Sequence, residues 1–412
     1  MAATRPRVGL SGPRGARPRV GLALAGGGPL GAIYEIGALC ALDEALVGVD
    51  LNHLDGYVGV SAGGFIAAGL ANGMTPRQLC ASFIENTGPD VIRPTIFVRP
   101  ALGEFARRFA ALPGLVLQAG WRYAFDRRGL LPAIEHLGRA LPTGLFSNRA
   151  LELQVRRVLS APGRSNNFRE LAHKLVVVAT DLDSGESAPF GQPGLDDVPI
   201  SQAVAASAAL PGLFPPVQIG EHCYVDGALK KTLHARVLLD LGLDLVICLN
   251  PLVPFDASQG SHPRPRAGDR IPRLVDGGLP VVLSQTFRTL IHSRLELGLK
   301  GYESSHPGTD IVLFEPDHRD PEMFIANTFG YSQRRALAEH AYQQTRADLR
   351  SRRSTLAATL AAHGVTLDHA VLDDAQRRLV GPGKPRRGAV ATLARLDEVL
   401  DDLARVLPAY AR

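Results

Sequence analysis

Leu22-Ala-Leu-Ala-Gly-Gly-Gly-Pro-Leu-Gly31 is an apolar run that breaks into three consecutive glycines and then opens a helical pattern. On one side, Arg19 to Ala25 reads as a short buried strand. On the other, Gly31 to Leu46 reads as a helix with Ile33, Ile36, Leu39, Leu42 and Leu46 on one side. Strand, glycine loop and helix together offer exposed backbone N–H groups at a positive helix end. Gly26-x-Gly28-x-x-Gly31 formally satisfies the dinucleotide fingerprint, in which glycines let a pyrophosphate approach a helix N-terminus. The same donors would equally serve a developing oxyanion. A purely structural turn is the weaker reading, because three glycines in a row cost conformational entropy with no packing return.

The next strand separates these readings. The dinucleotide fingerprint wants an acidic residue at its end, whereas Tyr57 to Val60 runs into Gly59-Val-Ser61-Ala-Gly63 and then the all-round apolar stretch Ala62 to Leu70. Strand, Gly-x-Ser-x-Gly, helix is the context of a nucleophile elbow, whose glycines permit the strained turn that pushes a serine hydroxyl outward. Serine at neutral pH needs a base. An α/β-hydrolase supplies a histidine, in the order Ser, Asp, His, but none of the twelve histidines here sits in a site-like context. His222 precedes a strand end and His234 follows it in a Lys-Lys-Thr-Leu-His run. The strand end itself is Tyr224-Val225 leading into Asp226-Gly227-Ala228, and Asp226 is the candidate base.

The 412 residues are 45% apolar and 21% charged, enough for a sizeable core in one large domain with an appendage. No run of eighteen apolar residues exists, so a cytoplasmic protein is expected. Cys40, Cys80, Cys223 and Cys248 are far apart in sequence and form no C-x-x-C, which indicates neither zinc nor a disulfide framework but reduced core residues. The net charge of +5 is uneven: residues 1 to 18 form a Pro- and Arg-rich tail that cannot bury enough to order itself. Such a tail is either a solubilising leader or an adhesive for anionic surfaces.

Further along, Thr75-Pro-Arg-Gln78 has the capping-box pattern and starts a helix through about Ile84. From Gly88 to about Leu159, short helical pieces broken by prolines read as an insertion over the site. Within it Phe105 to Phe109 and Leu115 to Arg128 interleave aromatic and basic residues, suiting either a membrane-surface helix or an ordinary amphipathic one. Leu175 to Ala179 is a β-branched run expected of a strand buried on both faces, and Ile200 to Leu210 an Ala-rich helix. Ala235 to Leu241 looks helical, while Leu245 to Leu249 and Ile311 to Phe314 are further strands. Alternating strands and helices imply an α/β layered fold. Gln259 to Arg273 is a basic loop, and after Pro316 the chain is helical and charged, with a break at Gly381 to Gly388.

Gly26-Gly-Gly-x-x-Gly31, Gly59-x-Ser61-x-Gly63 and Asp226-Gly-Ala228, in that order, resemble the patatin-like phospholipases. Ala179-Thr-Asp-Leu-Asp-Ser-Gly185 and Ala206 to Pro216 also look like blocks of that family, so the resemblance covers roughly residues 19 to 255. It implies a three-layer α/β fold with a mainly parallel central sheet flanked by helices, plus a helical insertion and a helical C-terminal region. It implies a Ser–Asp dyad without histidine. Ser61 would be the nucleophile, Asp226 the general base, and the loop Gly26, Gly27, Gly28 and Gly31 the oxyanion hole through its backbone amides. Gly59 and Gly63 would shape the elbow, and Gly227 and Ala228 the turn after the base. Two positions depart from the pattern. Leu30 stands where many members carry arginine or lysine, and Ala228 replaces a glycine, a variant the family tolerates.

The expectation is therefore a basic tail over 1–18, a catalytic domain over 19–317 and a helical region over 318–412. The activity expected is hydrolysis of phospholipid or lysophospholipid acyl esters with no cofactor and no metal. Its partners would be a lipid substrate and peripherally an anionic membrane surface, with no nucleic acid. Acyl transfer or thioester hydrolysis by the same dyad, and lipid binding without catalysis, are the alternatives; a nicotinamide-dependent oxidoreductase is the remote one.

Overall fold

A computed structural model of the chain describes residues 17–92, 99–106, 108–110, 112–114, 141–257, 273–325 and 333–381. The basic tail to Arg14, the Leu115–Arg128 stretch, all of the Gln259–Arg273 loop except its last residue, and the glycine–proline break after Gly381 lie outside them.

The chain begins with β1 (Val20–Leu24), α1 (Gly28–Ala45), the short β2 (Leu46–Val47), β3 (Gly56–Val60), α2 (Ala62–Ala71) and α3 (Pro76–Leu79). The expected Thr75 capping box forms, with Thr75 and Gln78 bonding each other's backbone amides, and α3 runs on as a wider turn over Cys80–Glu85. Next come α4 (Asn148–Leu159), β4 (Lys174–Asp181), β5 (Ser187–Phe190), α5 (Ile200–Ser207), β6 (Val217–Ile219), β7 (His222–Asp226), α6 (Arg236–Leu239) and β8 (Leu245–Leu249). The remainder is α7 (Gly278–Ser305), β9 (Asp310–Phe314), α8 (Pro321–Ile325), α9 (Arg334–Ser351), α10 (Arg353–Ala362), β10 (Thr366–Leu367) and α11 (His369–Asp373).

Eight strands form one sheet in the order β6-β7-β4-β3-β1-β8-β9, with β5 also on β4. The centre is parallel, since β1 pairs in parallel with both β3 and β8, β3 with β4, and β8 with β9. The β7 edge is antiparallel to β4 and β6. This is a mixed, mainly parallel sheet flanked by helices. Its central strands are buried on both faces, which is why they read as unbroken apolar runs. Leu22 and Leu24 point into one core and Ala23 and Ala25 into the other. Each fully buried leucine is worth roughly 1.5–3 kcal/mol.

Helix α1 is apolar on nearly every side because it is sandwiched between the sheet and α9. Gly37 makes that second contact possible: a Cβ there would lie 2.5 Å from the Ala338 carbonyl oxygen. Tyr342 on α9 donates a 2.6 Å hydrogen bond to Glu44 at the end of α1. The C-terminal helices thus pack directly on the helix that follows the glycine loop. Successive strands leave β1 toward β3 on one side and β8 on the other, so the carboxyl end of β1 is a topological switch point, where open α/β sheets bind ligands.

Candidate active site

The three motifs meet at that end of the sheet. The first glycine loop leaves β1 and forms the N-terminus of α1, with Gly27 as N-cap and Pro29 in the first turn. Pro29 suits this place because the first amides of a helix have no intrahelical acceptor. Gly28 holds φ at 59°, a region that favours glycine. Gly26 lies against the serine, for a Cβ on it would be 3.0 Å from Ser61 Cβ and 3.7 Å from Ser61 Oγ. Gly31 has a different part. Its amide donates to the Gly27 carbonyl at 2.9 Å, and its missing side chain leaves room for the Pro251 ring, 3.0 Å from where a Cβ would sit. Leu30 is buried in the core beside them.

Ser61 follows β3 and caps α2 with φ 53° and ψ −120°. A non-glycine residue in such a conformation stores on the order of 1–3 kcal/mol, which the surroundings must hold. The flanking glycines show how. A side chain at Gly59 would collide with the Gly63 carbonyl, and one at Gly63 would come within 2.5 Å of the Ala25 carbonyl, whose oxygen accepts the Gly63 amide at 3.1 Å. The elbow is therefore stitched to the end of β1.

Asp226 ends β7 and is buried beside Ser61. The Ser61 side chain lies close enough to its carboxylate to influence its proton, and the Ala228 amide donates to Oδ1 at 2.9 Å. Burial pushes the Asp226 pKa up to about 6, with the Ala228 amide and the Ser61 hydroxyl opposing the shift. A side chain at Gly227 would strike the Val178 carbonyl, so the turn after the aspartate must be glycine.

Sequence reasoning missed the residue that joins these parts. Ser207, the last residue of α5, accepts the Ser61 amide at 2.7 Å and donates to the Val178 carbonyl at 2.6 Å. Two residues on, the Ala209 carbonyl accepts the Asp226 amide at 3.0 Å. The only signal was the Ala206 to Pro216 block, which marks the segment without saying what the serine does. The histidines are engaged elsewhere. His222 pairs with Asp181 at 2.9 Å, and His234 Nε2 lies 3.2 Å from the Gly227 carbonyl, its pKa lowered to about 4 by burial.

Ser61 and Asp226 line a groove of about 570 Å³. Gly27 and Gly28 line it with the serine, as do Phe65, Phe83, Leu151 and Val155, and α7 contributes Leu279, Leu283, Phe287 and Ile291. Those last four recur at four-residue intervals, close to the spacing of one helix face. Arg288 is the cation among the groove's lining residues. A hydroxyl beside a buried carboxylate and helix-end amides, in an apolar trough, can attack an acyl carbonyl and hold the resulting oxyanion.

The family model for patatin-like phospholipases matches residues 22–239, spanning the glycine loop, Ser61 and Asp226. Two uncharacterised NTE family proteins, from Mycobacterium bovis and Mycobacterium tuberculosis, are each 28% identical over 244 residues, 58% of this chain and 32% of theirs. The chain thus spans about a third of the length of these curated relatives. Among solved structures, VipD from Legionella pneumophila aligns over 82% of this chain and 67% of its own at 17% identity, with a TM-score of 0.34. The type III effector protein ExoU of Pseudomonas aeruginosa aligns over 82% and 53% at 15% identity, with a TM-score of 0.35.

Proposed function

The chain belongs to the patatin-like phospholipase family, and on that premise we propose that it is a serine lipid acyl hydrolase that cleaves phospholipid or lysophospholipid acyl esters through a Ser61–Asp226 dyad. The observation that carries this reading is that Ser61 and the buried Asp226 carboxylate, which come from different strand ends, line one apolar groove together. Ser61 Oγ attacks the ester carbonyl as its proton passes to Asp226. The tetrahedral oxyanion rests on the amides of Gly26, Gly27 and Gly28, and on collapse the proton goes from Asp226 to the leaving alcohol. Water then attacks the acyl-enzyme, losing its proton to the same carboxylate, and Ser61 takes the proton back as the fatty acid leaves.

A carboxylate near its ordinary pKa of about 3.9 is a weak base for this work. Burial that lifts Asp226 to about 6 brings it closer to the operating pH, which makes proton transfer less uphill while leaving most of it ionised at neutrality. The groove suits an acyl chain, each methylene of which gains about 0.8 kcal/mol on leaving water. No helix among the described residues is long and apolar enough to cross a membrane.

The test is turnover of a short-chain chromogenic ester and of a phospholipid by wild type, Ser61→Ala and Asp226→Asn. The reading expects both variants to lose activity by at least about 10³-fold, as removal of a nucleophile or its base does. Full activity in Asp226→Asn would overturn the dyad. Free fatty acid as the product, with and without an added alcohol acceptor, separates hydrolysis from acyl transfer.

A further inference from the structure

Away from Ser61, where α7 passes the carboxyl ends of β8 and β9, His292, Glu315 and His318 bring one ligand atom each to within 4.8 Å of one another. We propose that these three residues form a binding site for a divalent zinc-type cation that fastens α7 to the sheet.

The hydrogen bonds around the cluster orient both rings for this. His318 Nδ1 lies 3.2 Å from the Pro254 carbonyl, which can only accept, so Nδ1 donates there and Nε2 is the nitrogen left to face a cation. His292 turns Nε2 toward Glu296 Oε1, 3.5 Å away on the next turn of α7. That leaves Nδ1 as the inward atom, buried with no hydrogen-bond partner, 3.6 Å from Glu315 Oε1. A separation of 3.6 Å is long for a hydrogen bond. It is close to what two ligands at about 2.0–2.2 Å from one zinc ion require. Glu315 is steadied in turn by Asn250 Nδ2 at 2.7 Å. Ligating histidines whose outer nitrogens face a carboxylate or a carbonyl are the usual surroundings of a bound metal.

The donor set fixes the class of ion. Two imidazoles and one carboxylate suit zinc and its first-row neighbours better than calcium or magnesium, which prefer oxygen throughout. The rings also sit edge to face at 4.9 Å.

The position gives the site its consequence. Its ligand His292 adjoins Ile291, and Leu279, Leu283, Phe287 and Ile291 line the groove from α7. Gln285 already bonds both backbone groups of Phe255, and Arg288 reaches the Val253 carbonyl at 3.2 Å. The metal would complete this row of ties and set how far α7 stands from Ser61, taking no part in acyl chemistry.

Titration of the chelator-stripped full-length chain with zinc tests the site. Wild type is expected to bind with its melting temperature raised. His318→Ala and Glu315→Gln should bind at least about 100-fold more weakly, and the surface variant Glu296→Ala, which removes only an outer partner, about 10-fold more weakly. Cobalt in place of zinc should give weak visible bands without a thiolate charge-transfer band. The inference is overturned if wild type binds no zinc, if the ligand variants bind as tightly as wild type, or if the cobalt spectrum shows thiolate. Metal-free melting curves establish that the variants are folded. None of these readouts depends on esterase activity, so the site stands or falls apart from the dyad.

Discussion

The hydroxyl of Ser207 accepts a 2.7 Å hydrogen bond from the backbone amide of Ser61. Because that hydroxyl also donates to the Val178 carbonyl, the strained elbow after β3 is held by the end of α5 and the middle of β4 at once. Ser207 touches no substrate in this arrangement. It is a positioning residue.

Ser207→Ala would leave the Ser61 amide without its acceptor while the φ of 53° still has to be maintained. We expect kcat to fall about tenfold or more with KM little changed, and stability to fall by about 1–3 kcal/mol, as for a buried group left unpaired. Equal losses in kcat and in folding yield, with the specific activity of the folded fraction intact, would show a merely structural role.

Gly26→Ala places a methyl group 3.0 Å from Ser61 Cβ and 3.3 Å from Ala228 Cβ. Either the loop or Ser61 must give by a few tenths of an ångström, which parts the amides from the proposed oxyanion position, and loss of one such donor costs about 10²–10³-fold in kcat. Activity is expected to drop by at least that factor while the circular dichroism spectrum is retained. Wild-type activity in a folded Gly26→Ala would remove the loop from the chemistry.

The pH dependence follows from Asp226. As a base it works ionised, so kcat/KM should rise with pH through an acid limb near 6 and level off above about 7. A limb near 4, or one that persists in Asp226→Asn, would count against the assignment.

The same shift has a stability signature of the opposite kind from a salt-bridged carboxylate. Asp226 holds its proton more tightly folded, at about 6, than unfolded, at 3.8. Between those values the native state binds more protons, so this group's contribution to stability falls as pH rises from about 4 to 6 and stays low above. At pH 7 the ionised carboxylate therefore costs about 2–3 kcal/mol, and Asp226→Asn should melt higher than wild type. His234, held neutral with a pKa near 4, acts oppositely over pH 6.5 to 4 but is common to both proteins. The melting-temperature advantage of Asp226→Asn should thus shrink on acidification to pH 4. An advantage that does not depend on pH would contradict the buried-base picture.

Much of the fold was legible because its core strands are buried on both faces and its glycine turns are local. Val20–Leu24, Gly56–Val60, Lys174–Asp181 and Leu245–Leu249 all coincide with apolar runs in the sequence. Helix α1 starts three residues before the expected Gly31, because Pro29 fits a first turn and Gly27 can cap it. What escaped was tertiary. The antiparallel β7 edge depends on which strands become neighbours, a choice made by packing and not by periodicity. Helix α7 escaped too, although Leu279, Leu283, Phe287 and Ile291 have helical spacing. Its apolar face lines a groove, leaving Leu279 69% exposed, and Gly298 and Gly301 weaken the helical pattern further on. At the site, Ser61, Asp226 and the glycine loop were nameable from short motifs. Ser207, 146 positions from the serine it supports, had no local signature.

The central claim is that Ser61 becomes acylated with Asp226 as its base. Intact-protein mass spectrometry after a serine-reactive fluorophosphonate, followed by peptide mapping, tests it most directly. The account predicts one adduct per chain on Ser61, absent in Ser61→Ala and formed at least about 100-fold more slowly in Asp226→Asn. An adduct on another residue, or labelling of Asp226→Asn at the wild-type rate, would contradict it.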